Sequence, residues 1–599
     1  MDYRDTLNLP KTDFPMKANL PEREKEILKF WKENEIYEKM QLRDRSKTYI
    51  LHDGPPYANG HIHMGHALNK VLKDIIIKYK TMKGYYAPFV PGWDCHGLPI
   101  ELQVDKNLGE KKALVSVLEK RKLCKEYAEE FVKIQRDEFV RLGVFGDWSR
   151  PYLTMDPHYE TAIIKEFFEF VKRGNVYKGK KPVHWCPSCV TALAEAEVEY
   201  NEKESPSIYV RFRITARDVE RVFPELSDIP VYLIIWTTTP WTLPANLALA
   251  VHPEIRYIGI EKDSSVTIFA STLSEDRRQK LNLMGRCVLD VKGSELEGIK
   301  VEHPFIDRLS TVVLADFVDI SEGTGIVHIA PGHGEEDYAV GLKYGLPIYA
   351  PVDDRGNFTE EAGDLKGEFV FKANERIIRI LEEKGALLYK ERYTHSYPHC
   401  WRCKRPVIFR ATEQWFISME KNALRNKCLE EIEKVRWIPA WGRDRIYNMM
   451  LHRPDWCISR QRSWGVPITL LTCERCGAPL KDERFFKKTL EFISRGGSDI
   501  WFTEPLETFL PEGSRCEECG NSSFKKEMDI LDVWFESGVS HAAVLDTDSR
   551  LSWPSDMYLE GSDQHRGWFQ SSLILSTGTR DRAPYSTVLT HGFVVNGQG

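Results

Sequence analysis

The segment Thr48–Gly84 constrains the fold most, because it joins a β-favouring run, a turn rich in glycine and proline, and a helical pattern. The run Thr48–Leu51 predicts a strand, and Gly54 and Pro55 begin the turn. Strand, glycine-rich turn and helix form the phosphate-binding unit of doubly wound α/β proteins, since unpaired amides at a helix start attract anions. Apolar residues three and four positions apart predict one buried stripe on the helix: Leu68, Val71, Leu72, Ile75, Ile76 and Tyr79.

Two histidines, His63 and His66, stand at the predicted start of this helix, where a P-loop carries lysine and serine or threonine. Neutral imidazoles can donate hydrogen bonds to phosphate oxygens without fixing a full charge there. Their surrounding sequence, GPPYANGHIHMGHALNK, is a more specific motif than a pair of histidines alone. The segment resembles the HIGH signature of the class I aminoacyl-tRNA synthetases, in its isoleucyl form. The resemblance implies an α/β, Rossmann-like nucleotide-binding fold with an inserted β-rich editing domain and zinc-binding knuckles.

Length and charge are those of a globular protein with several domains: 599 residues, 42% hydrophobic and 29% charged. Lys and Arg number 83 against 89 Asp and Glu, a net charge of −6, so any RNA contact must use local patches. The start of the chain has no apolar core of signal-peptide length, and no run is long enough to span a bilayer. We therefore expect a cytoplasmic monomer with no membrane association.

Eight of the thirteen cysteines form four Cys-x-x-Cys pairs, and in a reducing compartment such pairs favour metal knuckles over disulfides. A structural zinc of this type needs four thiolates in a tetrahedron, so four pairs predict two zinc sites. We expect one Zn²⁺ site from the two pairs that flank the insertion and another from the two later pairs. The first set is Cys186, Cys189, Cys400 and Cys403, and the second is Cys473, Cys476, Cys516 and Cys519.

Changes in residue pattern along the chain predict six segments. Many short β-favouring runs between residues 199 and 395, among them SIYVRFRI, VYLIIWTTT, IGIEKD, TVVLADF and GIVHIA, indicate a separate strand-rich domain. The segments are an N-terminal helical arm (1–47), the first half of the catalytic domain (48–198), the inserted editing domain (199–395), a return connection with a zinc knuckle (396–465), a zinc ribbon (466–529) and the second half of the catalytic domain (530–599).

The loop YAPFVPGWDCHGLPIE contains Asp94, at a place where open α/β sheets bind ligands. From the residues alone, Asp94 could equally cap the following segment. The resemblance implies that Asp94 holds the α-ammonium group of the amino acid and that Glu560 contacts the aminoacyl-adenylate. It also implies that the amino-acid pocket is formed by Gly54, Pro55, Trp534, Gln564 and Trp568.

Two segments of the insertion, WTTTPWTLPAN and GTGIVHIAPGHGEEDY, resemble the editing pocket of the isoleucyl enzymes. An apolar pocket rejects a substrate one methylene smaller by only about 1–3 kcal/mol, a limit established for isoleucine against valine, so a second, hydrolytic site is needed. The resemblance implies that Asp337 binds the ammonium group, that His328 contacts the aminoacyl adenosine and that a positioned water attacks. The ester end would be held by Thr237, Thr238, Thr239 and Thr242. The alternative is that Asp337 caps a helix beginning near Tyr338.

The segment from residue 441 to residue 465 interleaves arginine with tryptophan, which favours RNA contact because arginines bind phosphates and indoles stack on bases. A buried arginine network under a loop is the other interpretation. The residues concerned are Arg443, Arg445, Arg453, Arg460, Arg462, Trp441, Trp456 and Trp464.

The resemblance implies ATP-dependent activation of L-isoleucine with Mg²⁺, its attachment to isoleucine tRNA, and editing of valine-charged tRNA. The family's KMSKS loop has no counterpart, and the chain stops at VLTHGFVVNGQG, just before its place. We therefore expect the amino-terminal portion of such an enzyme, impaired in activation. The alternatives are a valyl or leucyl synthetase, a tRNA-editing or tRNA-binding module, and a non-enzymatic zinc-ribbon nucleic-acid protein; GPPYANG, WTTTPWTLPAN and GHGEEDY favour the isoleucyl form.

Overall fold

The computed structural model describes residues 3–8, 13, 17–319 and 323–599, so part of the predicted arm lies outside the described residues. The α-helices are α1 Leu20–Glu33, α2 Ile36–Met40, α3 Met64–Met82, α4 Leu98–Leu108, α5 Val117–Arg141, α6 Pro157–Lys172, α7 Ala216–Val222, α8 Glu275–Lys280, α9 Glu335–Lys343, α10 Val370–Glu383, α11 Leu424–Lys434, α12 Trp441–Leu451, α13 Glu483–Gly496, α14 Ile500–Thr503, α15 Leu506–Phe509, α16 Val533–Gly538 and α17 Trp568–Arg580. None of these helices is both long and apolar enough to cross a membrane within the described ranges.

The strands are β1 Leu51–His52, β2 Gly92–Trp93, β3 Tyr152–Leu153, β4 Val176–Cys186, β5 Thr191–Leu193, β6 Val198–Ile214, β7 Val231–Thr237, β8 Ala248–Val251, β9 Arg256–Lys262, β10 Ser265–Ala270, β11 Arg286–Lys292, β12 Lys300–Glu302, β13 Leu309–Leu314, β14 Ile326–Ile329, β15 Leu387–Cys400, β16 Ile408–Ile417, β17 Arg436–Ile438, β18 Trp456–Cys457, β19 Ser459–Arg460, β20 Leu471–Cys473, β21 Phe524–Lys526, β22 Ile530–Leu531, β23 Met557–Gly561 and β24 Thr587–His591.

A parallel sheet in the order β1-β23-β24-β17 joins the two ends of the described chain. Leu51 of β1 pairs with Met557 of β23, and Tyr558 pairs with Val588 of β24. Parallel strands end at the same edge of a sheet, so the segments that follow residues 52, 561 and 591 meet there. The predicted first strand is shorter and later than expected, because Thr48 forms only an isolated bridge with Tyr86.

Helix α3 buries a different face from the predicted stripe. Val71, Ile75 and Tyr79 are exposed, whereas Lys70 and Lys73 are buried. The prediction of one apolar stripe was therefore wrong in part. The two lysines are buried because the carboxylates of Asp53, just after β1, and Glu560, in β23, neutralise them, a charge pairing that a hydrophobic pattern does not register.

The β-rich insertion enters and leaves through a long antiparallel ribbon. β6 pairs with β15 from Val198 opposite Cys400 to Val210 opposite Leu387. Within the described residues, β6 to β15 form one ten-stranded sheet, which contains all five predicted β-favouring runs. A second ribbon, β4 with β16, precedes it and continues the connection toward the parallel sheet.

The catalytic part and the insertion each have their own apolar core. In the catalytic part, Ile163 and Phe167 of α6 belong to the same buried cluster as Leu573 of α17. In the insertion, inward side chains of the large sheet, such as Leu233 and Val312, pack under α10. Separate cores allow the insertion to fold around its own apolar contacts.

The arginine- and tryptophan-rich segment is partly interior, and the buried-network interpretation is correct at Arg460. Trp456 and Trp464 are buried, although Trp441 and Arg445 are exposed. The buried guanidinium of Arg460 lies 2.9 Å from the Glu197 carboxylate and 3.0 Å from that of Asp532. These contacts tie the root of the insertion to the strand–helix connection of the catalytic part.

We predict that Arg460→Met lowers the free energy of unfolding by about 3–5 kcal/mol, because Glu197 and Asp532 lose their buried cationic partner. The control is Arg484→Met, which breaks the exposed pair with Asp482 and should cost less than about 1 kcal/mol. Urea unfolding followed by tryptophan fluorescence measures both. Equal stability losses in the two variants would contradict a structural role for the interior pair.

Candidate functional site

A cavity of about 310 Å³ opens at the carboxyl edge of the parallel sheet. Its walls come from the turn after β1, the start of α3, the segments after β23 and β24, and α16. All nine residues predicted for activation line this cavity: Gly54, Pro55, His63, His66, Asp94, Trp534, Glu560, Gln564 and Trp568. The structure thus brings together residues from positions 54 to 568 of the chain.

The two histidines form the N-terminal cap of α3. The His63 Nδ1 accepts a hydrogen bond from the Gly65 amide at 3.1 Å, and the His66 Nδ1 accepts one from the His63 amide at 3.2 Å. Both Nδ1 atoms act as acceptors, so the neutral rings carry their protons on Nε2. Burial lowers the pKa of His66 to about 4, with His63 and Lys70 adding to the effect. At neutral pH His66 is an uncharged donor.

Behind the histidines lies a buried ion network that the sequence reasoning missed. The Lys73 Nζ donates to Asp53 at 2.6 Å and to Glu560 at 2.6 Å, and Lys70 donates to Asp53. Asn69 donates to the other Glu560 oxygen at 2.9 Å. The available signal was the pair of lysines three positions apart on α3, since an i, i+3 pair lies on one face.

Asp94 is buried without a cationic partner among the described residues. Its carboxylate accepts a long hydrogen bond, 3.3 Å, from the Thr154 hydroxyl. Burial raises the pKa of Asp94 well above its usual value, and the nearby Glu536 raises it further. Helix α4 begins at Leu98 after Gly97, so the alternative of Asp94 as a helix cap is wrong. A buried carboxylate that lacks a cation suits a ligand that brings an ammonium group.

Two indoles and a glycine shape the apolar wall. Trp568 stacks on Tyr558 with ring centroids 4.0 Å apart and donates its indole N–H to the Ser537 carbonyl at 3.0 Å. The Gln564 side-chain oxygen accepts the Trp568 amide. At Gly54 an added Cβ would lie 2.4 Å from a Glu560 oxygen and 2.9 Å from Trp568, so this position has no space for a side chain.

In the insertion, four of the predicted editing residues form one hydrogen-bonded chain. The Thr242 hydroxyl lies 2.9 Å from the His328 Nε2 and 3.3 Å from the Thr239 hydroxyl. Thr237 in turn lies 3.2 Å from Thr239. Burial lowers the pKa of His328 to about 4, so its ring is neutral, and its Nδ1 has no partner in the described chain. Thr238 lies between these threonines and is partly exposed.

Asp337 is in the first turn of α9, and its carboxylate accepts the Ala330 amide at 2.8 Å. Helix α9 begins at Glu335, so the alternative of a helix starting near Tyr338 with Asp337 as its cap is wrong. Burial raises the pKa of Asp337 to about 7. Within the described residues, no hydrogen bond joins Asp337 to the threonine chain.

The eight paired cysteines form the two predicted quartets, each with its sulfur atoms within 4.8 Å of one another. The Cys186 and Cys403 sulfurs are 3.5 Å apart, and those of Cys476 and Cys516 are 3.4 Å apart. Four thiolates 2.3 Å from a tetrahedral zinc lie about 3.8 Å from each other. Both quartets therefore fit a four-coordinate metal ion. Between the second set of pairs the chain forms α13, α14 and α15, which a simple zinc ribbon does not contain.

Three features together define a class I synthetase fold: a parallel nucleotide-binding sheet, a cavity at its carboxyl edge with two capping histidines, and a β-rich insertion. The family described as tRNA synthetases class I (I, L, M and V) matches residues 26–599. This chain belongs to that family.

Its relatives include the proteins named Isoleucine--tRNA ligase of Geobacter sulfurreducens, 57% identical over 100% of this chain, and of Syntrophotalea carbinolica, 56% identical over 100% of this chain. The chain spans about 65% of the length of each. Among solved structures, a ternary complex of an Agrobacterium radiobacter K84 LeuRS with tRNA and LeuAMS aligns over 97% of this chain and 69% of that chain, at 18% identity and a TM-score of 0.45.

Proposed function

We propose that the protein activates L-isoleucine with ATP, transfers it to isoleucine tRNA, and hydrolyses valine from mischarged tRNA. The observation that carries the proposal is the single cavity in which the helix-capping histidines, the cation-free Asp94 and two indole walls face one another. The names of relatives above 55% identity support isoleucine as the amino acid.

Activation is the attack of a carboxylate on the α-phosphorus of ATP with loss of pyrophosphate, so the protein must align the reactants and stabilise charge on the phosphates. His63 and His66, at the start of α3, line the cavity and keep Nε2 available for phosphate oxygens, because Nδ1 of each ring accepts a backbone amide. Asp94 holds the ammonium group, and Trp534 and Trp568 pack on the side chain. Mg²⁺ enters as part of the ATP complex, bound to phosphate oxygens.

The test of this site is Asp94→Asn, which keeps the shape of the side chain and removes its charge. Isoleucine binding should weaken roughly tenfold to a hundredfold, the value of a charge-assisted hydrogen bond, while ATP binding stays unchanged. Isothermal titration with each ligand provides the measurement. Asp263→Asn, in an exposed turn of the insertion, is the matched control. A variant that binds isoleucine normally, or a wild-type preference for valine, would overturn the assignment.

We propose the hydrogen-bonded threonines and Asp337 as the editing site. The threonine hydroxyls can orient the ester and a water, and the neutral His328, whose Nε2 lies 2.9 Å from the Thr242 hydroxyl, is proposed to contact the aminoacyl adenosine. Asp337 is proposed to bind the ammonium group that every aminoacyl ester carries. The Ala330 amide already orients its carboxylate.

For editing, we expect Asp337→Ala to slow deacylation of valine-charged isoleucine tRNA roughly tenfold to a hundredfold. The pKa of Asp337 is raised to about 7, so the ammonium-binding carboxylate form becomes populated as the pH rises. Wild-type deacylation should thus increase more steeply between roughly pH 6 and pH 8 than that of Asp337→Asn. Asp263→Asn, in an exposed turn of the insertion, should behave as wild type. Normal rates in a correctly melting Asp337 variant would refute the role.

We propose that each cysteine quartet holds a structural Zn²⁺, which supplies no chemistry to the reaction. The first quartet lies where β15 ends at Cys400, opposite the beginning of β6, and so holds the root of the insertion together. We propose a cytoplasmic location, since two four-cysteine groups that hold a metal need a reducing environment.

Elemental analysis should find about two zinc ions per chain. Cys189→Ser and Cys476→Ser should each lose about one, because a four-thiolate site with one ligand missing binds zinc far more weakly. Cys287→Ser, an exposed thiol outside both quartets, should retain both ions. A metal-free wild-type chain with reduced thiols and unchanged stability would contradict the zinc assignment.

A further inference from the structure

The loop inside the first cysteine quartet, Trp401 and Arg402, lies between the metal site and the activation cavity. Cys400 and Cys403 flank these two residues in the chain and belong to that quartet. The Trp401 amide also donates to the Glu197 carbonyl at 3.0 Å. A metal ion bound to the quartet would fix both ends of the loop, and this hydrogen bond fixes its first residue.

The Trp401 indole packs against two rings of the activation cavity. Its centroid lies 6.4 Å from that of Trp534, with the ring planes 34° apart, and 6.2 Å from that of Tyr57, with the planes 63° apart. Centroid separations of about 4.5–7 Å are those of aromatic rings in contact. Trp534 and Tyr57 both line the cavity. Trp401 therefore lies directly behind the indole that is proposed to pack on the amino-acid side chain.

The Arg402 guanidinium stacks on the same indole. Its central carbon lies 3.6 Å from the Trp401 ring centroid and 5.1 Å from that of Tyr57. The Arg402 Nε is buried and makes no hydrogen bond within the described residues. A cation over an aromatic face is attracted by the negative charge of that face. The guanidinium therefore limits the orientations that the Trp401 ring can take.

The two indoles of the cavity wall are fixed in different ways. Trp568 donates its indole N–H to the Ser537 carbonyl at 3.0 Å, whereas the Trp534 Nε1 is buried and makes no hydrogen bond in the described chain. A Cβ at Gly567 would lie 2.7 Å from a Trp534 ring atom, so the backbone there packs closely on this ring. Because no hydrogen bond orients the Trp534 indole, its position depends on packing, including its contact with Trp401.

We propose that Trp401 is a positioning residue for the amino-acid pocket, which holds the Trp534 ring against the side chain of isoleucine and so gives the first cysteine quartet a part in substrate selection. The inference rests on the proposed function, which assigns Trp534 to that side chain. One methylene in an apolar pocket changes selectivity by roughly 10–200-fold, a range established for isoleucine against valine. A wall that can move away loses contact with the additional methylene first, so isoleucine loses more affinity than valine.

The experiment titrates each variant with isoleucine, valine and ATP and measures its zinc content. Trp401→Ala should lower the ratio of isoleucine to valine affinity roughly fivefold to tenfold, while ATP affinity stays within about twofold of wild type. Trp401→Phe, which keeps an aromatic ring, should restore most of the ratio. Trp401→Leu keeps more apolar volume in the loop and serves if Trp401→Ala loses zinc. The matched control is Trp31→Ala, since this partly exposed indole of α1 packs on Phe145 with centroids 4.7 Å apart.

An unchanged ratio of isoleucine to valine affinity in Trp401→Ala or Trp401→Leu, with the zinc content of wild type, overturns the positioning role. So does an equal loss of isoleucine, valine and ATP affinity, because that pattern reports general damage to the cavity. A fall in Trp401→Phe as large as in Trp401→Ala also overturns it, since a ring then does not suffice to hold Trp534. Wild type that binds neither amino acid, or prefers valine, would instead refute the proposed function.

Discussion

Two lysines of α3 and two carboxylates from distant parts of the chain form the interaction on which the nucleotide-binding half depends. Lys73 contacts Asp53, just after β1, and Glu560, in β23, and Glu560 also accepts the Gly54 amide at 3.1 Å. The network thus joins adjacent strands, orients the helix that the histidines cap and positions the turn. Its formal charges cancel, two lysines against two carboxylates, so Asp94 is left as a cavity carboxylate without a cation. Removing one of these four side chains would leave a buried charge without its partner.

The insertion is attached in a way that leaves the parallel sheet undisturbed. Its first and last strands, β6 and β15, pair with each other, so entry and exit lie side by side, and the β4–β16 ribbon extends this arrangement. The first cysteine quartet lies at the same root, with Cys186 at the end of β4 and Cys400 at the end of β15. A domain with its own core and a clamped base can hold a second site at a defined distance from the first.

Two arginines of the tryptophan-rich segment differ in how the fold compensates their charges. Arg460 has two carboxylates and two backbone carbonyls, so its charge is fully compensated. Arg453, seven residues earlier, has a side-chain amide and an aromatic neighbour but no carboxylate. The sequence does not predict this difference between Arg453 and Arg460, because both occur in the same tryptophan-rich segment. Their difference is a matter of which acids the fold brings near.

The sequence by itself determined the features that depend on short spacing. The Cys-x-x-Cys pairs indicated both quartets, because tetrahedral thiolate coordination needs four sulfurs, and the HIGH-like segment indicated the turn, the capped helix and, through its resemblance, nine residues of one cavity. Only the tertiary structure decided which face of α3 is buried, and that Asp53 and Glu560 meet on it. A hydrophobic pattern reports burial driven by apolar contact. Lys70 and Lys73 are instead buried by pairing with Asp53 and Glu560, which lie about five hundred residues apart, so local sequence can show the two lysines but not their partners.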